Sequence, residues 1–191
     1  MRKFNREMGE FFDRLYEDGR VLVYGEGRKG AQLMLIGEAP GEQETLQGRP
    51  FVGKAGKNLD ELLALTGFDR GALYITNVVK FRTTRRSEAG RLSNRAPTRE
   101  EVELFLPWLK REIELVDPAC VVTMGNTALK ALAGRKALIG EAHGRFARID
   151  GRTLFPIYHP ASLIYNRALV PVYERDLRLL ADWRAAQSPQ I

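Results

Sequence analysis

Asn77, His159 and Phe51 each sit where an apolar run breaks, and two of them, Asn77 and Phe51, could act on a flat, polar ring. Asn77 follows Tyr74-Ile75-Thr76. A carboxamide offers one acceptor and two donors. It matches the N3–H donor and O4 acceptor of uracil and meets the opposite polarity on cytosine; a turn or capping asparagine is an equal alternative on local grounds. His159 lies in "FPIYHPAS", ends a strand before Pro160 and is one of 2 histidines; a structural histidine is the usual reading of such a residue. Phe51, between Pro50 and Val52, is either a core aromatic or a platform on which a base stacks, worth about 1–3 kcal/mol per base. His143, in "EAHGRF", lies in a polar turn and reads as structural. No nucleophile or second carboxylate stands at a telling spacing from either histidine, so a hydrolase triad gains no support.

These residues need elements to hold them. "GAQLMLIGEAPG" reads as a buried strand, Gln32 to Ile36, that stops at the loop "GEAPGEQETLQGRPFVGKAG". The loop's glycines permit close backbone approach to a ligand, but it is neither a Walker A loop nor a GxGxxG fingerprint. "GKNLDELLALTG" has its leucines on one helical face and a terminal glycine. "ALYITNVVK" is a second strand; "APTREEVELFLPWLKREIELVDP" is a long amphipathic helix opened by a Thr98–Glu101 capping box. Pro107 inside it predicts a kink or break. "ACVVTMGNTALKALAG" is a strand, a glycine turn and a short helix, "GRTLFPIYH" a strand ending at His159, and "VPVYERDLRLLADWRAA" a closing helix.

Continuous apolar strands alternating with helices predict a single α/β domain, a three-layer sandwich with a central parallel sheet covered on both faces. Ligands then bind beyond the carboxyl ends of the strands, where Gly37-Glu38, Asn77, Gly125-Asn126 and His159-Pro160 all fall. The chain has 191 residues, 44% hydrophobic, and a net charge of +6, a modest excess compatible with a polyanionic partner. Its 1 cysteine, Cys120, excludes an intrachain disulfide framework or a four-cysteine metal site. Neither a signal peptide nor a membrane span is legible, so a soluble, cytoplasmic protein is expected.

"LMLIGEAPGEQETLQGRPFVGKAG", "LYITNVVKFR", "NRAPTREE" and "FPIYHPAS", in this order, resemble the uracil-DNA glycosylase superfamily, with family 4, the thermostable bacterial and archaeal type, the nearest match. The likeness runs from about Val21 to Asp182. It implies a parallel four-stranded sheet between helices and a uracil base flipped into a pocket at the strand ends. It also implies roles. Phe51 stacks on the base, Asn77 reads it, and His159 bonds uracil O2 as charge builds. Gly37 and Ala39 line the base pocket, and Glu44 crowds C5 against thymine. Glu38 is the candidate for holding water, since Ala39 has no polar side chain. Ser162 and Leu163 face DNA, with Leu163 as the candidate wedge. The expected substrate is uracil-containing DNA, acted on by a monomer with no cofactor. The alternatives are a homologue that binds damaged or single-stranded DNA without catalysis, or a glycosylase for hypoxanthine, xanthine or mismatched thymine.

Two departures stand out. Family 4 carries a 4Fe–4S cluster on four cysteines. Here Phe81 and Phe105 stand at two of those positions, and Glu10 and Asp13 lie near the other two. No cluster is therefore expected, and aromatic packing should fill the space. The loop from Arg82 to Arg95 is long for the family and carries Arg82, Arg85, Arg86, Arg91 and Arg95, which read as phosphate contacts. One relative has a similar loop whose histidine bonds the abasic sugar; the corresponding residue here is Asn94, a poor nucleophile, so turnover without a trapped adduct is expected.

Overall fold

The computed structural model describes residues 1–187. The chain opens with α1 (Arg2–Leu15), β1 (Glu26–Gly27) and β2 (Leu33–Gly37), then α2 (Glu42–Gln47) and α3 (Lys54–Leu65). A 3-10 turn leads into β3 (Tyr74–Asn77), which is followed by β4 (Thr84–Arg86), β5 (Leu92–Asn94) and α4 (Arg99–Val116). Next come β6 (Cys120–Met124), α5 (Asn126–Ala133), α6 (Ile139–Ala142), β7 (Ala147–Ile149) and β8 (Arg152–Ile157). The short α7 (Ser162–Tyr165) and α8 (Val170–Gln187) close the described chain.

The main sheet has the order β1-β3-β2-β6-β8-β7. Its centre, β3-β2-β6-β8, is parallel, as expected. Antiparallel β1 and β7 widen it to 6 strands. Strands of two and three residues are too short to leave a periodic signature. Side chains alternate across β2: Met34 and Ile36 join a core with α1 and α4 residues, while Leu33 and Leu35 join one with α3 and α8 residues. Both faces are thus covered, which is why β2, β3 and β6 are buried throughout.

Further departures from expectation concern α1, the Arg82–Arg95 loop, β8 and α4. The amphipathic α1 packs Phe4, Met8 and Phe12 against the core. The Arg82–Arg95 loop contains a hairpin, β4 paired with β5. β8 stops at Ile157, two residues before His159. α4 runs unbroken through Pro107. Pro107 is exposed, so the Glu103 carbonyl that it leaves unpaired can be met by water.

Parallel register brings the strand ends level: Gly37 pairs with Asn77, Ile36 with Thr123, and Met124 with Ile157. Glu38, Asn77, Gly125 and His159 consequently lie around one edge.

Candidate active site

A cavity of about 550 Å³ opens at that edge, with Glu38, Ala39, Glu44, Phe51, Asn77 and His159 in its lining. Gly37 forms no part of the wall but makes the wall possible. A Cβ there would lie 2.4 Å from Phe51 Cζ and 2.5 Å from Asn77 Oδ1, so only glycine lets ring and amide meet.

Phe51 has φ 53°, a left-handed conformation rare for an aromatic residue and costing about 1–3 kcal/mol. Its surroundings enforce it. Glu44 Oε1 accepts from the N–H groups of Val52 (2.9 Å) and Gly53 (2.7 Å), and Oε2 from that of Gly41 (3.1 Å). Arg70 donates to the Pro50 carbonyl at 2.8 Å. At Gly56 any Cβ would strike the Phe51 carbonyl at 2.0 Å. Glu44 therefore lines the cavity while its carboxylate ties both ends of the loop together.

Asn77 is 2% exposed, and its Oδ1 has no hydrogen-bond partner. A buried orphan acceptor costs about 1–3 kcal/mol, so it is poised for a donor brought by a ligand. The His159 ring lies 5.8 Å from that of Phe51. Its Nδ1 accepts the Ala161 N–H at 3.1 Å, which leaves Nε2 to carry the proton of the neutral ring. Burial pulls the His159 pKa down to about 4, with the Glu44 carboxylate opposing. At neutral pH the imidazole is thus an uncharged Nε2–H donor. Glu38 accepts a hydrogen bond from Thr127 at the start of α5, which fixes one carboxylate oxygen.

A mixed polar and apolar wall that holds the Phe51 ring, an amide with an orphan oxygen and a tautomer-locked imidazole suits a flat heterocycle carrying both donors and acceptors. Residues 24–184 match the model of the uracil DNA glycosylase superfamily. The chain belongs to the uracil-DNA glycosylase superfamily. It is similar to the type-4 uracil-DNA glycosylase of Pyrobaculum aerophilum, at 40% identity over 86% of this chain and 84% of that one. Similar proteins of the same name occur in Archaeoglobus fulgidus, at 35% identity over 93% of this chain and 89% of the relative, and in Sulfurisphaera tokodaii, at 34% identity over 88% and 77%.

The family 4 cluster does not fit these residues. Phe105 stacks on Phe12 with centroids 4.1 Å apart and meets Phe81 edge-on at 5.4 Å. The Tyr16 ring packs on Phe81 at 5.6 Å, and the Arg20 guanidinium lies over both of these rings. Glu10 and Asp13 are exposed. Cys120 is buried in β6, where burial pushes its thiol up to about 12. Packed rings stand at two of the positions where the cluster needs cysteines, and no thiolate is within the set.

Three DNA-facing expectations change. Leu163 is 1% exposed and belongs to the core under α7, so it cannot enter a duplex. Its neighbours Ile164 and Tyr165, the latter 87% exposed, line the cavity mouth instead. Ser162 gives its hydroxyl to the His159 carbonyl at 2.6 Å and braces the His-Pro turn. The arginines divide. Arg95 forms a two-pronged pair with Glu101 (2.7 and 2.6 Å), and Arg82 bonds Asn94 (2.8 Å) and Glu42 (3.2 Å). Arg85, Arg86 and Arg91 are exposed on or beside the hairpin strands. His143 is more than a turn residue: its Nδ1 lies 2.6 Å from the buried Asp176 carboxylate. Sequence reading also passed over Thr127 and Tyr165, since neither position carries a local signal: the partner of Thr127, Glu38, is 89 residues away, and Tyr165 reaches the cavity mouth only through the way α7 packs.

Proposed function

We propose that this chain is a monofunctional uracil-DNA glycosylase, one domain acting as a monomer on uracil-containing DNA. The observation that carries the reading is the buried, orphan Asn77 Oδ1 in the lining of one cavity with the Phe51 ring and the tautomer-locked His159. Flipped uracil stacks on Phe51, gives N3–H to Asn77 Oδ1 and takes a bond from the same amide at O4. Cytosine offers an acceptor at N3 and leaves the buried oxygen orphaned.

Heterolysis of the N1–C1′ bond leaves the pair of electrons on uracil and positive character on the sugar. His159 Nε2–H donates to O2 as that charge grows, a preorganised donor that costs no reorganisation during the step. Water adds at C1′ and loses its proton, and Glu38, oriented by Thr127, is assigned to hold it. Products are free uracil and an abasic site. Arg85, Arg86 and Arg91 hold flanking phosphates, and Tyr165 takes the wedge role that Leu163 cannot.

The test is base release from single- and double-stranded oligonucleotides carrying uracil, hypoxanthine, xanthine or mismatched thymine. Uracil release alone, with no covalent protein–DNA band, is expected. Binding without release of any base would sink the enzymatic reading.

A further inference from the structure

Lys80 and Glu112 form a wholly buried ion pair, 2.6 Å apart with side chains 0% and 1% exposed, that the chemistry above does not use. Burial pulls the Lys80 ammonium below the usual lysine range, with Glu112 opposing. An ammonium has three donors, and all find acceptors: Glu112 Oε2, Thr76 Oγ1 and, at 2.7 Å, the main-chain carbonyl of Asn77. Glu112 is itself steadied by the Tyr74 hydroxyl at 2.9 Å. A buried ion pair brings little net stability over well-packed apolar residues, so stability alone does not account for this one.

Its place in the fold suggests what does. Tyr74 packs in the core on the α4 side of β3, and Ile75 packs with Phe51 on the other side. By strand alternation Thr76 shares the Tyr74 face and Asn77 the Phe51 face. The network therefore grips the strand end from behind, while the amide faces the cavity. Val78 and Val79 continue the grip by donating to the Gly37 and Glu38 carbonyls at 2.9 and 3.0 Å. Since no protein group hydrogen-bonds Asn77 Oδ1, the aim of that oxygen rests on its own backbone and on packing at Gly37 and Phe51.

We propose that Lys80 is a positioning residue for base recognition: its ammonium, oriented by Glu112 and Thr76, clamps the Asn77 carbonyl and so fixes the direction of the Asn77 amide. The inference rests on Asn77 being the base-reading residue. Lys80→Met alone leaves the Glu112 charge buried and unpaired, and lowers both stability and uracil affinity. Lys80→Met/Glu112→Leu/Tyr74→Phe/Thr76→Val replaces the network's side chains with apolar groups. Its Tm is expected to recover to within about 4 °C of wild type, while KM for uracil-containing DNA stays raised about tenfold, kcat changes far less, and inhibition by free uracil weakens in proportion. Recovery of KM along with Tm would make the network merely structural and overturn the proposal. Glu112→Gln gives a second test that keeps Lys80 among its acceptors: a lower Tm with KM within about twofold of wild type is expected, and a KM rise matching that of the Lys80 variants refutes the clamp. Should wild type release no uracil, the glycosylase reading itself fails. Should Asn77→Ala weaken uracil binding while the Lys80 variants do not, only the clamp fails.

Discussion

The backbone N–H of Ala161 lies 3.1 Å from Nδ1 of His159, and this one contact decides which nitrogen of the imidazole bears the proton. Pro160 sets the turn that brings residue 161 back over the ring, and Ser162 locks it through the His159 carbonyl. A histidine loose in a cleft would titrate near 6.5 and lose its single-tautomer character. This one stays neutral to about pH 4 because burial disfavours its charge.

The pH behaviour follows with a definite sign. Uracil release governed by His159 is expected to stay level as pH falls from 8 to about 5, and to drop only as the ring protonates near the folded value of about 4. Stability moves over a different window. The unfolded chain takes up the proton near 6.5 and the folded chain near 4, so the unfolded state binds more protons between them, and His159 makes stability fall as pH drops through that range. Tm measured from pH 7 to pH 4 should decline less in His159→Gln than in wild type. His159→Ala should lower kcat about 10²- to 10³-fold with DNA binding retained; unchanged turnover removes His159 from the chemistry.

Gly37→Ala tests how the cavity is built. The new methyl meets Phe51 Cζ at 2.4 Å and Asn77 Oδ1 at 2.5 Å, and neither can retreat, because the one is held by its loop and the other ends a buried strand. Overpacking of this kind costs about 1–3 kcal/mol, and a misplaced ring and amide should lower kcat/KM at least about tenfold. Full activity with an unchanged denaturation midpoint would mean that the two residues need not touch.

Most of this framework was legible because parallel strands buried on both faces read as apolar runs, and their ends must gather at one edge. Asn77 and His159 could be placed at that edge in this way, and both line the cavity there. What escaped is non-local. Leu163 and Tyr165 are two positions apart in one short helix, and only the packing of α7 on the core decides that Leu163 faces inward. Arg95 reads like any other loop arginine until Glu101 is seen beside it. Phe4, Met8 and Phe12 did carry the four-residue spacing of a helix face, a signal present in the sequence but not used.

The arginines should separate by salt dependence. Replacing Arg85, Arg86 and Arg91 together by alanine removes up to three phosphate contacts, so the slope of log K against log salt should shrink by about 2–3, with kcat at saturating DNA little changed. Arg95→Ala is expected to do the reverse: it breaks the paired bonds to Glu101 and lowers stability by about 1 kcal/mol, leaving the salt slope near its wild-type value. Equal slopes for both variants would dissolve the distinction between hairpin and tether.

The aromatic substitute for a cluster predicts a stability defect without a metal signature. Phe105 is wholly buried and contacts Phe12 and Phe81. Phe105→Ala should cost about 3–5 kcal/mol in chemical denaturation, while iron chelators leave wild-type activity and stability unchanged. Visible absorbance of an iron–sulfur type in purified wild type would overturn this account.

Leu163 and Tyr165 make a paired test of the wedge. Leu163→Ala opens a cavity in the core and should cost about 2–5 kcal/mol of stability; activity of the protein still folded should be little affected. Tyr165 is 87% exposed, so Tyr165→Ala should shift stability by no more than about 0.5 kcal/mol. What it should lose is the group that fills the gap left by a flipped nucleotide. That gap exists only in a stacked, paired duplex, so release of uracil should fall on double-stranded DNA and hold on single-stranded DNA. An equal fall on both substrates would place Tyr165 in binding of the base itself, and no fall on either would leave the duplex without a wedge from this helix.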